Sequence, residues 1–414
     1  MAGAELERVS SLVKRAGVKV LAPAALLLVL AFIAHGFPKH PSDVDVYRLG
    51  AQTFLRGRSI YTQLPVSTFG GALPYTYPPS SAVLFVPLAL IPPAIGFPLL
   101  TAATSLALIP LVLAYRDSSP DLRGLLAKPW VVLAAAIALL VGHPVANTIY
   151  WGQINVLLML LVALDCLSPN PRWPRGLLIG IAAAVKLTPA GFVLFFLLRK
   201  DYRAVATSAL GFLALTAITF ALAPSDSVFY WTNRVFHATS MNIGGPLANE
   251  SVFASLHKLG LHGTALTLTG ALTVIAVVVM AWLGTRRALT DGELPLALGV
   301  NAAAVQLISP ISWSHQWVLA LPTAAVVLAS GYRRHDLRLL ITGGIGVAII
   351  WLAPHYWMPQ NPAVWTIPEK IAGSTYQLAA LALLAVTSYR QLAKRPPRRP
   401  RTGSTGELDF ELAA

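Results

Sequence analysis

The sequence predicts an all-α polytopic membrane protein of about 12 transmembrane helical passes, with amphipathic helices in its external loops. Three observations carry that expectation. Only 12% of the residues are charged and 56% are hydrophobic, whereas a soluble domain carries roughly 25% charged residues. Apolar runs near 20 residues, long enough to cross a bilayer, recur along the chain. The Lys and Arg clusters between these runs can all be assigned to one side of the membrane. The formal net charge of +14 would point to nucleic acid in a soluble chain. Here topology accounts for it, and nucleic acid is not expected as a partner. The single cysteine, Cys166, excludes an internal disulfide and any Cys-based metal site.

Residues 1–17 are polar and basic and read as a cytoplasmic tail. Residues 18–37 follow Lys14, Arg15 and Lys19, lack a small-residue cleavage site, and read as a retained signal-anchor. A polar external loop then spans 38–80. Within it Ser42-Asp43-Val44-Asp45 has capping-box form, and Val46, Leu49, Thr53 and Phe54 form an apolar stripe at helical spacing. Gly57 is the expected stop. Arg48, Arg56 and Arg58 would lie near lipid phosphates. Residues 80–93 are apolar but punctuated by proline and would dip into the membrane before a span over 96–115. Residues 116–128 form a basic inner loop. Spans 129–142 and 153–167 follow, joined by the uncharged external stretch GHPVANTIYWGQIN.

Residues 177–198 have basic flanks on both sides: Arg172 and Arg175 before, Arg199, Lys200 and Arg203 after. A single crossing would leave one cluster outside. Lys186-Leu187-Thr188-Pro189 sits midway, where proline breaks a helix. Two short helices in an in–out–in hairpin satisfy both facts, with Lys186 at the tip. A span over 204–223 leads to a second external loop, 224–262. Spans 263–284, 294–311, 316–331, 339–353 and 375–391 complete the transmembrane domain, 18–391. The tail 392–414 is basic, Pro-rich and expected to be disordered. Both termini are then cytoplasmic, in a plasma-membrane protein.

The candidate chemistry gathers on the external side. Asp45 has a capping position three residues after Ser42. Asp43 has no such structural use, and an external carboxylate can serve as general base to a substrate hydroxyl. Lys186 is an ionisable group inside an apolar segment, a functional position by default; its fixed charge suits a lipid phosphate. His315, on a short turn between Trp313 and Trp317, has two readings: aromatic-belt packing, or phosphate binding and proton transfer. Arg234 is a further phosphate candidate. Gln153 and Asn155 have hydrogen-bonding groups for a sugar, or cap the following span. Tyr75, Tyr77 and Trp151 offer faces for stacking on sugars, as interfacial aromatics also do without ligands. Glu250 and, more weakly, His143, His237 and Asn249 are polar external positions. No GxGxxG, Walker, HExxH or Cys/His pattern occurs, so no metal or nucleotide cofactor is expected.

The strings D-V-D-V-Y-R at 43–48, G-R-S-I-Y at 57–61, L-P-Y-T-Y-P-P at 73–79, V-P-L-A-L-I-P at 86–92, W-G-Q-I-N-V-L-L at 151–158, A-V-K-L-T-P at 184–189 and S-W-S-H-Q-W-V at 312–318 together resemble glycosyltransferase family 87. The resemblance covers nearly the whole chain apart from the tails. It implies a GT-C fold and a polyprenyl-phosphate sugar as donor, used on the external face without a metal. It implies an inverting transfer of mannose to a mannosylated glycolipid, forming an α-1,2 linkage. The Ser-His-Gln-Trp turn and the compact length most resemble members acting on phosphatidylinositol mannosides. Arabinofuranosyl transfer and lipomannan branching are the alternatives within the family. The family's loop aspartate lies four residues before a Val-Tyr tyrosine, which here selects Asp43 through Tyr47, with Asp45 as the fallback. A transporter or flippase of lipid-linked sugars is the rival class. It would call for inverted repeats and paired charges at the midplane, and the sequence has neither.

Overall fold

A computed structural model describes residues 41–392, except 63, 70, 72, 238–248, 360, 362 and 363, together with Leu26. Apart from Leu26 and Leu392, the expected signal-anchor and both tails lie outside the described residues. Among the described residues the chain is helical, with one isolated β-bridge, Asn249 to Trp313.

The first helix, α1, is Ser42–Leu55. It starts one residue earlier than a Ser42 cap requires: Pro41 occupies the cap position, and no side chain bonds to the helix end. The expected capping box is therefore absent, because the Asp45 carboxylate is drawn to a different set of donors. The stop at Gly57 holds, with φ +66 and Arg58 N–H closing on Thr53 O. Nor does α1 lie on the membrane surface. Val44, Asp45, Val46, Tyr47, Leu49 and Ala51 are all buried, and Arg48 turns back to Asp45 rather than out to lipid.

Among the described residues three helices are long and apolar enough to cross a membrane: α2, Pro93–Asp117; α8, Tyr202–Leu222; and α9, Gly263–Thr290. Only 17% of the apolar stretch of α8 and of α9 is buried within the protein, so both present most of their surface to lipid. Between α2 and α8 come α3, Pro129–Val141; α4, His143–Trp151; α5, Asn155–Leu167; α6, Leu177–Val185; and α7, Val193–Leu198. After α9 come α10, Leu294–Ile308; α11, Ala320–Arg334; α12, Leu337–Leu352; and α13, Thr375–Leu392.

The stretch expected as an external loop after α3 is instead the helix α4, bent 62° from α3. Pro144 at its first turn and Gly152 at φ +67 after its last residue are the sequence signature of a helix. Residues 80–93 fold as two short helices, Pro79–Leu84 and Val86–Ala89. The span expected from 316 starts at Ala320, because Ser314–Gln316 forms a 3-10 turn.

The hairpin at 177–198 is present, and its ends show it. Arg175 donates to Asp165 O and Ser168 O, and Arg199 to Cys166 O, so both basic flanks meet the C-terminal end of α5. The Asp165 carboxylate accepts from Gly176 N–H at 2.9 Å, Ile179 N–H at 3.0 Å and Trp173 Nε1 at 3.1 Å. Lys186 reaches the opposite end of α5, at Asn155. Thirteen helical residues rise about 20 Å, which is the depth of the hairpin. At the tip Lys186 is extended, φ −150 and ψ 127, before the 3-10 turn Thr188–Phe192.

The other end of the molecule is fastened by charge. Glu293 accepts from Arg333, Arg334 and Ser330, and Asp291 pairs with Arg287 and Arg334. Arg390 pairs with Asp336, and Asp121 with Arg333. The ends of α9, α11 and α13 and the 116–128 loop therefore converge in one ionic layer.

Candidate active site

Five segments distant in sequence close around a cavity of about 280 Å³. They are α1, the 73–78 loop, the hairpin tip, the turn at 230–234 and the 309–316 turn, and Gln153, just past the end of α4, adds a single side chain to the wall. Asp226 ties the 38–80 and 224–262 loops together, accepting from Ser59 Oγ at 2.5 Å and from Ile60 N–H at 3.0 Å.

Asp43 faces this cavity from the first turn of α1. Burial pushes its carboxyl up to about 6, against the opposing pull of a Gln153 hydrogen bond and the Lys186 charge. Lys186 lines the same cavity from the hairpin tip. Its Nζ donates to Asn155 Oδ1 at 3.0 Å and lies 5.4 Å from the centre of the Tyr77 ring. A carboxylate and an ammonium 143 positions apart in sequence thus share one chamber.

Arg234 enters from a π-helical turn, Tyr230–Arg234, a local irregularity frequent at functional sites. One of its terminal nitrogens donates to Tyr75 O at 3.0 Å, its guanidinium lies over the Tyr61 ring, and its Nε is buried without a hydrogen-bond partner. Gln153 and Tyr77 also line the cavity. Gln153 Oε1 lies 2.9 Å from Tyr47 Oη and 3.1 Å from Tyr77 Oη.

His315 is close but turned inward. Its ring stacks on Trp313 with centroids 6.5 Å apart, and Trp313, not His315, forms cavity wall. Its carbonyl accepts from Thr148 Oγ1 and Asn155 Nδ2, while its Nε2 is buried without a hydrogen-bond partner. Burial, with Lys186 and His143 nearby, holds the ring well below its usual titration range. Burial thus disfavours the imidazolium that a cationic phosphate ligand requires. Asn155 stands behind the wall, linking Lys186 to the 314–316 turn.

Four expectations are corrected by placement. Asp45 is fully buried beneath the loop. It accepts from Arg48 at 2.7 Å, Ser67 Oγ at 2.8 Å and Thr68 N–H at 2.9 Å, and these outweigh burial and hold its carboxyl below the usual range. Tyr75 has no face free for a sugar: its ring packs on Gly50 and its hydroxyl bonds Ser81 at 2.6 Å. Trp151 ends α4 edge-on to Tyr150, away from the cavity. Glu250 is buried with Lys258 at 3.7 Å and His355 at 3.8 Å, and burial raises it to about 7. His143 belongs to that same cluster, edge-on to His355 and tilted against Tyr356. His237 is exposed. The sequence reading passed over Tyr230 and Gln316, which line the cavity. The aromatic-to-basic spacing of Tyr230 and Arg234, one helical turn apart, was the available signal for the first.

The profile of glycosyltransferase family 87 matches residues 75–310, which include Tyr77, Gln153, Lys186 and Arg234 but not Asp43. A polyprenol-phosphate-mannose-dependent α-(1-2)-phosphatidylinositol mannoside mannosyltransferase of Mycobacterium tuberculosis H37Rv is 35% identical, over 91% of this chain and 93% of that protein. A protein of the same description from Mycolicibacterium smegmatis is 34% identical, over 89% and 87%. A polyprenol-phosphate-mannose-dependent α-(1-2)-phosphatidylinositol pentamannoside mannosyltransferase of M. tuberculosis CDC 1551 is 29% identical, over 86% and 83%. With the matched profile spanning more than half of the chain and the relatives nearly all of it, this chain belongs to glycosyltransferase family 87.

Proposed function

We propose that this protein transfers mannose from a polyprenyl-phosphate mannose to a phosphatidylinositol mannoside, forming an α-1,2 linkage with inversion. The observation that carries the reading is the shared chamber: one carboxylate and one ammonium, Asp43 and Lys186, line the same cavity. The printed activities of the relatives supply the substrates. Identity is higher to those described as acting on phosphatidylinositol mannoside than to the pentamannoside enzyme, 35% against 29%, which favours the former acceptor class.

The acceptor 2-hydroxyl lies beside Asp43, which takes its proton as the oxygen attacks the anomeric carbon. The bond from that carbon to the phosphate oxygen breaks, and the electron pair leaves with the polyprenyl phosphate. Attack opposite the leaving group turns a β-mannosyl donor into an α product. Lys186 and Arg234 face the phosphate as its charge develops, where preorganised positive charge acts most strongly. A phosphate is a stable leaving group, so no strong acid and no metal are needed. Both substrates are lipids and reach the cavity from the bilayer. The fold is of GT-C type with about 12 passes, both termini cytoplasmic and the cavity on the external face. The ionic layer at the opposite end and the hairpin depth support this topology.

The test is product analysis in liposomes holding the purified protein, labelled polyprenyl-phosphate mannose and phosphatidylinositol mannoside. The expected product carries one more mannose, removable by an α-1,2-specific mannosidase. Transbilayer movement of the label without a new glycosidic bond, or turnover with an arabinose donor alone, overturns the proposal.

A further inference from the structure

Gln153 is built into a network that a residue serving only to touch sugar would not need. It follows Gly152, whose left-handed backbone ends α4 and turns the chain toward α1. Its side chain is nearly buried, at 6% exposure. Two tyrosines converge on its amide oxygen: Tyr47 from α1 and Tyr77 from the loop, whose hydroxyls are also 2.9 Å from each other. Tyr47 is itself fixed, stacked on Phe85 at 4.5 Å and fully buried.

We propose that Gln153 is a positioning residue for Asp43: the tyrosine pair fixes its amide oxygen, so its NH2 group faces the carboxylate and holds one carboxylate oxygen while the other meets the incoming hydroxyl. The opposite amide orientation would set its oxygen against the Asp43 oxygens, an acceptor against acceptors. The groups facing Asp43 are Gln153 from the end of α4, Lys186 from the hairpin tip, Tyr47 from its own helix and Tyr77 from the loop. The two tyrosine hydroxyls donate to the Gln153 oxygen, which leaves the Gln153 NH2 as the neutral donor for the carboxylate. It favours the charged carboxylate without the long-range field of an ion, and it restrains the direction of the carboxylate as Lys186, committed to Asn155, does not. This inference rests on Asp43 being the base.

The experiment is the pH profile of kcat/KM for mannosyl transfer by the purified full chain, wild type against Gln153→Met and Gln153→Glu. A hydrogen bond to a charged group favours that form enough that its loss moves the acidic limb up by about one pH unit or more. Activity then recovers toward wild type above the displaced limb. Gln153→Glu places a second carboxylate by the first and moves the limb at least as far. A limb unmoved in both folded variants, with activity lowered equally at every pH or with only KM raised, overturns the inference and returns Gln153 to a sugar contact. An Asp43→Asn enzyme that turns over at the wild-type rate overturns the reading beneath it instead.

Discussion

Asp43 and Asp45 are two positions apart on α1, so their side chains leave the helix about 200° apart. One therefore meets the cavity and the other the underside of the 64–77 loop. Asp43 keeps few donors and a raised affinity for protons, as a base working near neutrality requires. As the proposed base it would act only when deprotonated, so kcat/KM should rise with pH from 5 to 7 with a midpoint near the value of about 6 that burial gives it; a profile flat through that window contradicts the assignment. Asp45 is saturated by Arg48, Ser67 and Thr68. Asp45→Ala strips partners from a buried charge-assisted network and should cost about 2–4 kcal/mol of stability, seen as a lowered thermal midpoint in detergent. Sequence pattern could separate these two residues only in part: it set Asp43 apart from Asp45, and Asp43 does line the cavity, but it gave Asp45 a cap that it does not make. Tyr75 and Glu250 were unreadable for a related reason. Whether a polar side chain on an external loop faces substrate or core depends on partners 6 to 127 positions away, such as Ser81, Lys258, His355 and Gln377.

The hairpin of α6 and α7 is the element that delivers Lys186, and its logic was legible because charge and proline are local signals. Basic flanks on both sides with a Thr-Pro break between them admit few solutions in a bilayer. What the pattern did not contain is the clamp at its base. Asp165 receives the N–H groups of Gly176 and Ile179, closing the start of α6. Gly176 has φ +97, and a Cβ there would run into the Ala204 carbonyl of α8. Gly176→Ala should therefore destabilise by about 1–3 kcal/mol and lower transfer activity by displacing the tip; a thermal midpoint and a rate equal to wild type would show that the clamp does not set the tip. The helix α4 was hidden by its lack of charge, which reads as loop, although Pro144 and Gly152 bracket it as a helix.

At the scale of the whole molecule, apolar α8 and α9 face lipid, the ionic layer of Glu293, Asp291 and their arginines closes one end, and the cavity opens where the 73–78 loop, hairpin tip and 309–316 turn meet. The proposed topology puts that layer inside and the cavity outside. The native cysteine is buried, so introduced cysteines report alone: Thr62→Cys and Pro368→Cys should react with an impermeant maleimide in intact cells, and Pro120→Cys and Thr290→Cys only after permeabilisation. The reverse pattern would invert the orientation. The class of the fold was legible from composition and span length, while the chamber was not, because it assembles segments that no local periodicity connects. The account stands most directly on the rate of mannosyl transfer by purified, folded Asp43→Asn protein with defined donor and acceptor. A fall of roughly 100-fold to 10,000-fold, the usual contribution of a general base, is the expected result, with Asp45→Asn keeping substantial turnover per folded molecule. Near-wild-type transfer by Asp43→Asn, or its survival where Asp45→Asn is dead, would contradict it.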